Sequence, residues 1–221
     1  MLDALLELKE VYGVYGIKAE FEAEGARMDE LINLRELILR ADMKFITKIG
    51  GCEAVHDMQQ CQLLGATGVM APMIETPFAM SKFVGAAKRV YGEAIDTVEW
   101  IINAETKTCH ANYCGVLETG KGFLNAVTVG RSDLSASMGI ERKDIESSPV
   151  FDATRDLLKK SKEAGLVTNF GGNIGIESIP FIIGMSDVAD RFETRKVVIA
   201  MDNNEEHLNM VPLHWYNTCF E

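Results

Sequence analysis

The feature that most constrains the fold is an alternation of short apolar segments with longer helical patterns. The apolar segments are rich in Val, Ile and Phe and predict strands over residues 16–22, 44–49, 68–73, 98–105, 126–133, 166–170 and 196–201. Helical patterns are found between them, over residues 28–39, 52–64, 77–90, 108–117, 149–164 and 176–182. Gly65, Gly92 and Gly165 stand where these helices should end. Because parallel strands need a crossover connection, this order predicts an α/β fold with a parallel sheet.

Two architectures fit this order, a doubly wound open sheet and a (β/α)8 TIM barrel. The open sheet usually has a Gly-rich phosphate-binding turn after its first strand. Here that strand leads into Glu20-Phe-Glu-Ala-Glu-Gly25, which does not match, so the barrel is favoured. Barrels typically need roughly 250 residues. With 221 residues and seven predicted strands, we expect short loops and one strand missing or replaced at the N-terminus, or hidden in residues 11–15. The chain is predicted to be a single domain, 1–221.

The charge balance limits the partners. Lys and Arg total 22 against 33 Asp and Glu, a formal net charge of −11. Such a surface repels phosphate backbones and anionic lipid, so we expect no nucleic-acid and no membrane partner. The five Cys are an odd number and predict reduced thiols. The start, MLDALLELKE, is an acidic amphipathic helix rather than a secretory signal. We therefore expect a cytoplasmic protein.

Charged residues occupy one face of the first predicted strand. Lys18, Glu20 and Glu22 alternate with apolar neighbours, and residues two apart share a face of a strand. In a barrel the outer face packs under helices, so the charged face must look inward and form a polar wall of an active site. The alternative is an edge strand with a solvated face. Buried charges are costly unless they are paired, bound to metal or placed at a solvent-filled mouth.

Two further carboxylates close predicted strands. Glu105 ends the strand 98–105 and Asp133 ends the strand 126–133. Barrel enzymes place their chemistry at this end of the strands, and two adjacent carboxylates suit a hard divalent cation. Each residue also has a simpler explanation. Asp133 is a possible helix cap, and Glu105 a favourable charge at the start of the next helix.

Three segments resemble the HpcH/HpaI aldolase and citrate lyase family. Residues 128–139, TVGRSDLSASMG, resemble its signature segment, and residues 102–108, INAETKT, resemble its other metal-ligand segment. Residues 69–74, VMAPMI, resemble the family strand that runs into a Pro-Met pair. The resemblance implies a TIM barrel of the phosphoenolpyruvate/pyruvate superfamily. It also implies that Glu105 and Asp133 hold Mg²⁺, Mn²⁺ or Co²⁺, which binds pyruvate or another 2-oxo acid and stabilises its enolate.

The sequence departs from the family where the catalytic His is expected. Ala23 stands there, so the proton-transfer base would be Glu20 or Glu22. Lys48 takes the place of the family's substrate-binding Arg and keeps the charge without the bidentate fork. The remaining candidates for contact with the substrate are Lys18, Arg131 and Pro72.

The predicted function is a divalent-metal-dependent carbon–carbon lyase, a class II-type aldolase, acting on a 2-oxo acid. The alternatives are an acyl-CoA or citryl-type lyase, for which basic residues at the mouth would be needed, and a non-catalytic barrel that binds a 2-oxo acid. The C-terminal segment, about 203–221, contains the aromatic run HLNMVPLHWYNTCF. It is expected to pack on its own barrel or on a neighbouring subunit, and the family habit favours a homo-oligomer, a trimer or hexamer.

Overall fold

The computed structural model describes residues 1–201, and in them eight strands close into a barrel in chain order. The strands are β1 Val14–Glu20, β2 Lys44–Lys48, β3 Gly68–Ala71, β4 Glu99–Ala104, β5 Ala126–Gly130, β6 Val167–Gly171, β7 Arg191–Glu193 and β8 Val197–Ala200. Neighbours from β1 to β7 pair in parallel. β8 is antiparallel to both of its neighbours, β7 and β1. The predicted α/β barrel is confirmed, with one inverted strand.

Helices connect the strands and surround the barrel. They are α1 Leu2–Tyr12, α2 Met28–Arg40, α3 Val55–Leu64, α4 Pro77–Tyr91, α5 Lys107–Gly120, α6 Arg131–Ser137, α7 Ser148–Glu163 and α8 Ile179–Gly184. Short 3-10 segments span Gly92–Thr97, Arg142–Asp144 and Ile176–Ser178. No helix within residues 1–201 combines the length and apolar character needed to cross a membrane.

The eighth strand is not where the sequence suggested. Residues 11–15 hold no extra strand, because α1 runs to Tyr12 and β1 begins at Val14. The strand missed in the sequence is β7, and β8 fills the remaining place between β7 and β1. The predicted strand 126–133 also ends early, at Gly130, where α6 begins. The expected packing of residues 203–221 concerns a segment outside the described residues.

Two helix starts fix the ends of β3 and β4. The Thr76 hydroxyl caps α4 by accepting the Ala79 N–H at 3.1 Å, and the Thr106 hydroxyl caps α5 by accepting the Cys109 N–H at 3.0 Å. Such caps satisfy backbone donors that the first helical turn leaves free. The short segments between strand and helix are thereby held at the mouth of the barrel.

The buried apolar residues form two clusters. The larger one lies between the strands and the helices, where Trp100 packs against Phe83, Tyr91 and Phe123. A smaller cluster consists of Ile46, Met70, Ile101, Ala126 and Val198. Side chains two residues further along β2, β4 and β5 share its strand face and are polar: Lys48, Asn103 and Thr128. The apolar layer therefore fills the barrel beneath a polar layer.

Candidate active site

A cavity of about 870 Å³ opens at the carboxyl ends of the parallel strands. Lys18, Glu20 and Lys48 line it and are nevertheless buried, with exposed fractions of 6–7%. β1 is paired on both sides, so these residues do not belong to an edge strand with a solvated face. The charged face of β1 looks into the barrel, as the sequence predicted.

Glu105 follows β4 and is held rigidly at the cavity wall. Its side chain is almost fully buried, Oε1 accepts the Met73 N–H at 3.0 Å and Oε2 accepts the Asn103 amide at 2.8 Å. Burial raises the pKa of Glu105 above its usual value, although the charge of Lys48 and both hydrogen bonds oppose the shift. The carboxylate is thus fixed in place, with lone pairs left for a further ligand.

Asp133 faces the same cavity from the first turn of α6 and is exposed to it. Its charge lies close enough to Glu105 to raise the pKa of Glu105 further. Gly130, the last residue of β5, allows the Glu105 side chain to lie against the end of β5, because a Cβ at that position would lie 2.5 Å from Oε2 of Glu105. The two carboxylates predicted from consecutive strands are brought together.

Lys48 lies beside these carboxylates and carries a full positive charge. Its Nζ is 2.7 Å from Oε2 of Glu22. Burial disfavours the ammonium form, but the charges of Glu105, Glu22 and Glu20 outweigh it and raise the pKa of Lys48. Lys48 is therefore a cation at the cavity wall rather than a neutral amine.

A buried network below the mouth includes a residue that sequence reasoning missed, Glu193 at the end of β7. Lys18 Nζ donates to Glu193 Oε1 at 2.5 Å and lies 3.7 Å from Oε1 of Glu20. Asn169 donates to Glu193 Oε2 at 2.6 Å and to the Thr128 hydroxyl at 3.0 Å. Lys18 is therefore paired with carboxylates of the protein itself.

Two predicted contacts with the substrate are not brought to the cavity. The side chain of Arg131 is completely buried and donates to Glu146 at 2.9 Å and to the Gly172 carbonyl at 2.8 Å. Pro72 is buried in the segment after β3, and the cavity is lined there by Met73 instead. We leave both residues out of the proposed site.

Ala23 lines the cavity at the position where the family His was expected. Of the histidines in residues 1–201, neither His56 nor His110 lines the cavity. His110 instead contacts Asp156, with 2.6 Å between Nε2 and Oδ2. In this part of the chain no histidine is therefore available to the cavity.

The donor set fits a hard divalent cation held in part by substrate and water. In the described part of the chain no three His, Cys, Asp or Glu side chains converge as a complete metal site. Glu105 and Asp133 provide two carboxylates, and the buried Oδ1 of Asn103 has no hydrogen-bond partner. Mg²⁺ commonly uses only one or two carboxylates and completes its shell with other oxygens.

A closed barrel with charged residues at the carboxyl ends of its strands is the arrangement of TIM-barrel enzymes. The HpcH/HpaI aldolase/citrate lyase family model matches residues 26–171, so the chain belongs to that family. Its members are aldolases and lyases, which supports an enzyme with a lyase-type function. No curated protein sequence matches the chain.

Several solved structures share this fold, among them two HpcH/HpaI proteins. The HpcH/HpaI aldolase from Desulfitobacterium hafniense DCB-2 is 17% identical with a TM-score of 0.72, covering 87% of this chain and 81% of that one. A family protein from Burkholderia cenocepacia J2315 is 17% identical with a TM-score of 0.69, covering 88% and 83%. The citrate synthase SbnG is 13% identical with a TM-score of 0.69, covering 86% and 81%. At these identities the likeness concerns the fold alone.

Proposed function

We propose that this protein is a divalent-metal-dependent carbon–carbon lyase of the aldolase type that acts on a pyruvate-like 2-oxo acid. One observation carries the proposal. The buried carboxylate of Glu105 and the exposed carboxylate of Asp133 face one cavity, with the ammonium group of Lys48 beside them. This arrangement combines a site for a cation with a positive charge for a substrate carboxylate.

Glu105 and Asp133 would hold Mg²⁺, or Mn²⁺ or Co²⁺, and a bound ion would supply Lewis-acid stabilisation of the enolate charge. The protein fixes Glu105 through the Met73 N–H and the Asn103 amide. Ligands that are oriented by neighbouring hydrogen bonds need little rearrangement on binding. This is the role we assign to Met73 and Asn103.

Lys48 would neutralise the substrate carboxylate. It is protonated and lines the cavity, and only 7% of the residue is exposed. Glu22 pairs with it directly. A lysine ammonium is a point charge, so it tolerates more than one orientation of the bound carboxylate.

Glu20 is the better placed of the two candidate bases. The carboxylate of Glu22 is engaged at 2.7 Å by Lys48, whereas Glu20 lies 3.7 Å from Lys18. Glu20 is also more buried, and water-poor surroundings favour proton transfer to and from a carboxylate. We assign proton movement at the carbon next to the keto group to Glu20.

Proton NMR of pyruvate in deuterated water, with the protein and Mg²⁺, tests this function. We expect the methyl signal to decay in a reaction that needs both protein and metal and stops when a chelator is added. Exchange that is independent of metal, or equal in the absence of protein, contradicts the proposal. If pyruvate is inert, the same measurement is repeated with larger 2-oxo acids before the proposal is abandoned.

A non-catalytic barrel that binds a 2-oxo acid is the second candidate, because Ala23 lines the cavity where the family resemblance implies a catalytic histidine. It predicts metal-dependent binding of a 2-oxo acid by calorimetry with no exchange of its C3 protons. Exchange above the metal-only rate excludes this candidate.

Gly130→Ala is expected to slow the exchange without unfolding the protein. The new Cβ would lie 2.5 Å from Oε2 of Glu105, so the carboxylate must move. A displacement of about 1 Å at a reacting centre costs on the order of a hundredfold in rate. The control is Gly85→Ala on α4, where a Cβ meets nothing within 4 Å and activity should be retained. Equal exchange rates for the two variants would contradict the close fit of Gly130 to Glu105.

A further inference from the structure

The inverted strand places a hairpin at the mouth of the cavity. β7 runs parallel to β6 and ends at Glu193, so the turn into β8 lies at the same end of the barrel as the site. The turn is tight, because the Thr194 N–H donates to the Val197 carbonyl at 2.9 Å. The Lys196 carbonyl accepts the Lys18 N–H at 2.8 Å, which attaches the hairpin to β1.

The two residues at the tip of this hairpin, Arg195 and Lys196, are both basic. Their side chains are 67% and 59% exposed, and both line the cavity. Both contact the same carboxylate, Glu24, which Arg195 reaches at 2.9 Å. Because two cations share one carboxylate, one positive charge is left over.

Arg142 adds a third cation to the cavity mouth. It donates through Nε and Nη2 to the amide oxygen of Asn173, at 3.0 and 2.7 Å. This partner is neutral, so the guanidinium keeps its full charge while its direction is fixed over the loop after β6. We call Arg142, Arg195 and Lys196 the cationic rim.

The sign of charge reverses between the inner wall of the cavity and its mouth. The inner wall carries more acidic than basic side chains: Glu20, Glu22, Glu105, Asp133 and Glu193 against Lys18 and Lys48. The cationic rim has three basic side chains and Glu24 as its paired acid. On a chain of net charge −11 this local reversal attracts an anion to the mouth.

We infer that the cationic rim binds a second anionic group, a carboxylate or a phosphate, at the far end of the substrate. This inference rests on the proposed function, which places the 2-oxo acid head next to Lys48. The cavity, about 870 Å³, is far larger than a three-carbon acid requires. The substrate class is therefore a 2-oxo acid that carries a second anionic group at its far end.

Calorimetry on the full chain with Mg²⁺ tests the inference. The titrants are 2-oxobutyrate, which has an uncharged tail, and 2-oxoglutarate and 2-oxoadipate, which have carboxylate tails. The two tail lengths sample the distance to the rim. Inorganic phosphate and CoA, titrated without metal, test whether the anion is a phosphate.

The rim variant combines Arg142→Gln with Lys196→Gln. Its control combines Lys88→Gln with Lys121→Gln, which removes the same charge from the helix ends at the opposite end of the barrel. We expect wild type to bind one dicarboxylate about fivefold more tightly than 2-oxobutyrate, or to bind phosphate, since two exposed charge contacts contribute about 1 kcal/mol together. The rim variant should lose this preference, and the control should keep it.

The outcomes separate the two proposals. Equal affinities for mono- and dicarboxylates, with no rim-dependent binding of phosphate or CoA, overturn the cationic rim and leave the proposed function intact. Binding of phosphate or CoA that the rim variant loses, without binding of any 2-oxo acid, overturns the proposed function and supports the rim. A preference that the control variant also loses shows a general charge effect and overturns the rim.

Discussion

Asp133→Asn and Glu105→Gln are each expected to reduce the metal-dependent exchange of pyruvate protons by at least about a hundredfold. We assign the cation to these two carboxylates, so either change leaves a single charged ligand. The measurement is the initial rate of methyl signal loss, together with a Mg²⁺ titration of each variant. The apparent metal affinity should fall along with the rate.

The fold should survive both changes. Asp133 is exposed, and the amide introduced by Glu105→Gln would keep an oxygen for the Met73 N–H. The Asn103 amide now donates to Oε2, and turning it over brings its unpartnered Oδ1 to face the new amide N–H as an acceptor. Circular dichroism and the unfolding midpoint should therefore resemble wild type. The control is Asp96→Asn, an exposed acid in the 3-10 segment before β4, at the other end of the barrel. Full activity in Asp133→Asn would exclude the metal assignment.

The alternation of apolar segments and helical patterns predicted an α/β fold with a parallel sheet, and the lack of a Gly-rich turn after the first predicted strand favoured the barrel. β2 to β5 each contain at least two adjacent apolar residues, and burial on both faces explains why these segments were visible. β7 was not visible because it has only three residues, and two of them, Arg191 and Glu193, are charged. Both are paired with polar side chains of the barrel, Arg191 with Glu99 and Glu193 with Asn169. Missing β7 also meant missing Glu193 in the polar network.

The direction of β8 could have been read from the spacing. Only three residues separate Glu193 from Val197, which is too short for a parallel crossover and suits a hairpin. That reading needs β7 to be known first. The cationic rim was missed for the same reason, because Arg195 and Lys196 acquire their position from the hairpin.

Sequence reasoning placed Glu105 and Asp133 correctly at one end of the barrel, but it could not separate neighbouring charged side chains by their orientation. Arg131 is two residues from Asp133 and was predicted to meet the substrate. Side chains alternate along a strand, and the chain is already helical at Arg131. The helical turn directs Arg131 into the protein while Asp133 faces the cavity.

Arg131→Met is expected to lower the free energy of unfolding by about 3 kcal/mol, within the range for breaking a buried ion pair. The guanidinium donates to Glu146, to the carbonyls of Gly171 and Gly172, and stacks 4.3 Å from the Phe181 ring centroid. Methionine fills part of the volume but offers no donor to these carbonyls. Urea unfolding measures the loss as a shift of the midpoint at constant slope.

Arg155→Met is the matched control for this change. Arg155 also pairs with a carboxylate, Asp187, but its side chain is 37% exposed. An exposed pair contributes at most about 1 kcal/mol, so its loss should shift the midpoint far less.

The comparison also decides between the two roles of Arg131. A structural role predicts a large loss of stability. A substrate contact predicts nearly wild-type stability and weaker binding of the 2-oxo acid, which would return Arg131 to the site.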